Sequence, residues 1–134
     1  MGGLRKYRLG LMLALKPGGQ ATGATAQTAD PLYPFATCTG RLSALVEHQW
    51  MMSDPGSDAS AAVRDSLSAL TEAVLAEGQR RQAMEWRLNA KIAAAGLLNR
   101  ATFVSDSVQA ARASQRAAAM IEACRALVLA PNGA

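Results

Sequence analysis

Between Leu42 and Leu127 the apolar residues recur every three or four positions, in four runs separated by short breaks. A period near 3.6 gathers them on one stripe of an α-helix; a strand would need a period of two. The pattern therefore confines the chain to helix packed on helix. In the first run, over residues 37–52, Leu42, Leu45, Val46 and Gln49 share a face. Asp54-Pro55-Gly56-Ser57 then makes a turn, because proline presets one dihedral and glycine relieves the next. The second helix is predicted over 58–77. Val63, Leu67, Leu70 and Val74 form its stripe, and Gly78 stands where helices stop.

The third helix is predicted over 79–103 and is the longest. It carries two stripes: Trp86, Ala90, Ala93, Leu97 and Ala101, and beside them Met84, Leu88 and Ile92. Two stripes predict a helix covered on more than one side. Asp106 is placed to cap a fourth helix, with Gln109 three residues on as in a capping box. Ala110, Ala113, Ala117, Met120, Cys124 and Leu127 line that helix, and Pro131 ends it. Alanine is abundant and aromatic residues are few, which favours helices over sheets. Short connections make neighbouring helices antiparallel. The expected fold is all-α: an antiparallel up-down four-helix bundle over residues 37–130. Pro31 and Pro34 suggest an extended lead-in over 27–36, and residues 131–134 form a tail.

Cys38 and Cys124 are the only cysteines. In a small exported protein an even pair is most simply a disulfide. It would join the start of helix one to the end of helix four, and an up-down-up-down bundle brings those two ends together. Closing a loop of about 85 residues is worth roughly 4 kcal/mol by the chain-entropy argument. There is no CxxC or CxxCH motif, and a single histidine argues against a zinc cluster.

The N-terminus has the order of a secretory signal peptide. Arg5, Lys6 and Arg8 precede the apolar run Leu9–Leu15, and small residues follow Lys16-Pro17-Gly18-Gly19. Residues 1–26 are assigned to this segment, with cleavage after Ala21 or Ala26. The protein is then periplasmic or secreted in a bacterium. The alternative is a basic tail on a cytoplasmic protein. The apolar run is far shorter than the ~20 residues that span a bilayer, so no transmembrane span is expected.

The formal charge of +4 suggests a polyanion partner, but its distribution does not. Four of the fourteen basic residues lie in the first sixteen positions; the other ten meet ten acidic residues. A neutral body lacks the electrostatic footprint of a nucleic-acid binder. No nucleic-acid partner is expected.

Candidate chemistry gathers in two places. The first is Arg41, Glu47, His48, Trp50, Met51 and Met52 on helix one. Imidazole and thioethers form a soft ligand set for Cu(I) or for axial ligation of a haem. Methionine at helical spacing is more often core filler. The second is Glu85, Trp86, Arg87 and Lys91 on helix three. Arg87 and Lys91 lie one turn apart and repel, and Glu47 facing them would form an ion-pair network fixing helix register. The sharper reading is a pocket between Trp50 and Trp86 that binds or converts a small molecule. No Gly-x-Ser-x-Gly elbow is present, and His48 has no nearby partner for nucleophilic catalysis. No catalytic residue and no cofactor is assigned.

Tyr33-Pro-Phe-Ala-Thr-Cys38-Thr-Gly-Arg-Leu-Ser-Ala, followed by Glu47-His-Gln-Trp50, resembles a family of small, uncharacterised exported bacterial helical proteins with one disulfide. The resemblance extends over residues 31–128. It implies export and a disulfide, and no activity. The expected function is non-catalytic: a periplasmic helical protein acting through contact with a protein partner in the cell envelope.

Overall fold

The computed structural model describes residues 30–129. They form four helices and no strand: α1 (Leu32–Met51), α2 (Ser57–Val74), α3 (Arg80–Phe103) and α4 (Ser107–Leu129). The secretory segment 1–26, residues 27–29, residue 130 and the tail 131–134 lie outside the described residues. No helix among the described residues is long and apolar enough to cross a membrane.

The lead-in is shorter than its prolines suggest. Residues 32–36, expected to be extended, are the first turns of α1. Asp30 starts the helix: its Oδ1 accepts the Leu32 N–H at 2.9 Å. Pro34 is the third helical residue, where an N–H has no partner inside the helix and is not missed. At the other boundaries the differences are small. α2 stops at Val74, and Gly78 lies in the connection with φ +84, a left-handed conformation suited to glycine. Asp106 caps α4 as expected, its Oδ1 accepting the N–H groups of Val108 (2.9 Å) and Gln109 (3.1 Å).

α1 is the central helix. Eleven of its twenty residues are buried, against two in α2, three in α3 and four in α4. It packs most extensively on α3 and α2, while α4 packs chiefly on α3. The main core joins Leu42 and Leu45 of α1 to Leu67, Leu98 and Ile121. A second cluster sets Leu32 and Ala36 against Ala83, with Val74, Leu75 and Trp86 at its edge. Leu32 therefore meets the start of α3, and His48 meets Thr102 at its end. α1 and α3 run parallel, as up-down-up-down order requires.

In a square bundle these two helices would be diagonal partners. Here they touch backbone to backbone. A Cβ on Gly40 would overlap the Arg87 carbonyl oxygen and stand 3.1 Å from the Lys91 backbone nitrogen. Ala36, Gly40 and Ala44, all buried, recur every four residues and permit that approach. Two of the hydroxyls buried in α1 bond to their own helix: Thr39 Oγ1 donates to the Phe35 carbonyl (2.7 Å), and Ser43 Oγ to the Thr39 carbonyl (2.8 Å). Thr37 Oγ1 in α1 and Ser60 Oγ in α2 are the exceptions, buried with no hydrogen-bond partner among the described residues.

Candidate functional site

Cys38 and Cys124 form the disulfide, with Cα atoms 5.4 Å apart. Both are buried, and the bond ties α4 to α1 at the shared end of the bundle.

The polar residues that the sequence singles out are not one cluster. Glu47 and Lys91 do meet, Nζ donating to Oε1 at 2.6 Å across the α1–α3 crossing. Of the two α3 cations that Glu47 was to neutralise, it meets Lys91 alone. Glu85 turns away to Arg81 on its own helix, at 3.7 Å and well exposed. Arg87 goes to a third place. It lines a small recess with Thr39, Ser68, Thr71, Glu72 and Arg80. Arg80 and Glu72 close that recess with a two-bonded ion pair (3.1 and 3.2 Å). Thr39 and Thr71 spend their hydroxyl protons on the carbonyls of Phe35 and Leu67. With the Arg80 guanidinium paired to Glu72, the recess offers mostly acceptors beside the guanidinium of Arg87, which suits a satisfied polar seam better than a pocket for an anion.

His48 Nε2 lies 3.0 Å from Thr102 Oγ1, and its ring meets the edge of Phe103 at 6.3 Å between centroids. Met51 and Met52 are 58% and 48% exposed, beyond the core that methionines at helical spacing were expected to fill. Among the described residues no group of three or more His, Cys, Asp or Glu is placed to hold a metal ion. The two tryptophans do not share a pocket. Trp50 is 59% exposed near the end of α1, whereas Trp86 packs edge-to-face on Tyr33 at 5.0 Å, at the start of α3.

Two features were not legible in the sequence. The stripe Met84, Leu88 and Ile92 was expected to be covered, yet these residues are 49%, 49% and 71% exposed. α3 is held on one side by α1 and on another by α4, and this third face is left open. Its signal was present as a second stripe, but a stripe does not say whether its partner lies in the same chain. The second feature is Arg41. It lies apart from Glu47 and His48 and lines a groove with Arg100 and Arg116. Only the packing of three helices brings those residues together.

The described residues thus form a disulfide-linked four-helix protein with an open apolar face on α3 and an arginine-lined groove. No family model, no curated protein and no solved structure matches the chain.

Proposed function

We propose that this is a non-catalytic exported helical protein of the bacterial cell envelope that acts by contact with a protein partner, and that the open face of α3 is where contact is made. The observation that carries this is the exposure of Met84, Leu88 and Ile92 along one ridge. Removing such side chains from water gains about 25 cal/mol per Å², and contiguous exposed apolar ridges are characteristic of interaction surfaces. Arg81 and Glu85 flank the ridge and pair with each other, giving it a polar rim of both signs. The partner that fits is a protein presenting an apolar helix face with little net charge. Export is supported by the disulfide, which suits an oxidising compartment.

The test is site-specific photo-crosslinking in the periplasm. A crosslinker at position 88 or 92 should yield one discrete adduct, and the same group at exposed Ala69 on α2 should yield none. An adduct of twice the chain's mass would make the partner a second copy. Equal labelling from both helices, or none from α3, overturns the contact reading. Intact mass of the natively expressed protein tests export, which requires a mature chain beginning at residue 22 or 27.

A further inference from the structure

We propose that the groove between α1, α3 and α4 binds a phosphate-bearing ligand. Arg41 enters it from α1, Arg100 from α3 and Arg116 from α4, around a shallow hollow open to solvent. Its floor is apolar, made by Ala90, Ala94, Leu97 and Met120. No aspartate or glutamate lines it. The ion pairs of the described residues lie elsewhere: Arg64 with Asp65, Arg80 with Glu72, Arg81 with Glu85, Lys91 with Glu47. Arg112 adds to the charge one turn before Arg116, in an adjoining hollow. Cations at this spacing repel unless an anion lies between them.

The local structure favours convergence. Arg100 folds back along α3 over Gly96, its Nη1 3.7 Å from the position a Cβ would take there. A larger side chain at 96 would obstruct that course. Arg41 is half-buried one turn beyond Cys38, and the disulfide to Cys124 fixes its helix against α4, the helix that carries Arg116.

Ligand chemistry follows from the donors. Three guanidiniums present planar forks of N–H groups and three positive charges. A carboxylate, with one charge and two oxygens, satisfies a single fork. A phosphomonoester carries up to two charges and three terminal oxygens, and so can engage forks from separate helices. The apolar floor takes the ester's organic group. Leu97 of the floor and Leu88 of the contact ridge are nine residues apart, so they point to opposite sides of α3. The site is independent of the protein-contact reading.

The experiment titrates the full disulfide-bonded chain with phenyl phosphate and with inorganic phosphate, following backbone amide shifts. Saturable binding is expected, tighter for phenyl phosphate, with shifts centred on Arg41, Arg100 and Arg116. Each of Arg41→Gln, Arg100→Gln and Arg116→Gln should weaken it about tenfold or more, and Arg64→Gln on α2 should not. Arg116 is exposed, so Arg116→Gln remains informative even if Arg41→Gln perturbs packing. Flotation on phosphatidylcholine vesicles with and without phosphatidic acid separates the sources. Flotation lost in the same variants assigns the phosphate to a lipid head group, and soluble binding without flotation assigns it to a free ester. Two results overturn the proposal: neither mode of binding, or binding unchanged in all three variants.

Discussion

α1 buries eleven of its twenty residues, whereas α3, four residues longer, buries three. The two lie side by side in the same direction, and both mix small residues with large apolar ones. They differ in how many neighbours each has. α1 has α3 on one flank, α2 on another and α4 at the disulfide, so its large side chains, Leu32, Leu42 and Val46, are almost wholly enclosed. α3 buries Ala83, Ala94 and a single large side chain, Leu98, whereas its other large side chains Met84, Leu88 and Ile92 point outwards. Small residues at a crossing bring backbones close but cover little area. Apolar content therefore does not decide which helix forms the core; position in the bundle does.

The contrast can be broken most forcefully at the disulfide, which holds α4 against α1. Replacing both Cys38 and Cys124 by serine should cost about 4 kcal/mol of stability, measured by urea denaturation against the oxidised wild type. A cost under 1 kcal/mol would mean that α4 is held by packing alone. Next comes a matched pair. Leu42→Ala removes an enclosed side chain and should cost about 3 kcal/mol, while Leu88→Ala on the open face of α3 should change stability by less than about 0.5 kcal/mol. Similar losses from both would refute the assignment of α1 as core and α3 as edge.

The two helical glycines sharpen the same contrast. Gly40→Ala places a methyl against the Arg87 carbonyl and should cost about 2 kcal/mol despite alanine's better helix propensity. Gly96→Ala meets only Arg100 Nη1 at 3.7 Å and should stabilise by about 0.5–1 kcal/mol in thermal melts. Opposite signs are the diagnostic outcome. The smallest effect belongs to the ion pair across the crossing. Glu47 and Lys91 are 54% and 35% exposed, so a double-mutant cycle should return about 0.5 kcal/mol, falling as salt is raised. Coupling above 2 kcal/mol would show that the pair is shielded from solvent.

Much of the fold was legible because its signals are local. Four amphipathic runs, the Pro55-Gly56 turn and the Asp106 cap each act within a few residues of themselves. The start of α1 was misplaced because Pro31 and Pro34 resemble extended chain, although a first helical turn has no use for the N–H that proline lacks. The candidate site was legible in one piece, the Glu47–Lys91 pair. The remainder was not, because adjacency in sequence was taken for adjacency in space. Successive helical residues diverge by about 100°, so Glu85 stays with Arg81 on α3, Arg87 turns to the recess against α1 and α2, and Lys91 reaches Glu47 of α1.

The sequence by itself determined that this chain is helical, where most helices end, and which two cysteines pair. Periodicity, caps and a count of two are enough for that, and none requires knowledge of distant neighbours. Only the tertiary structure decided that α1 is enclosed, that a ridge of α3 stays open, and that Arg41, Arg100 and Arg116 face one groove. Residues separated by 59 and then 16 positions are placed together by the close crossing at Gly40 and by the link at Cys38–Cys124. A charge that is balanced along the body of the chain is, for that reason, unbalanced in space.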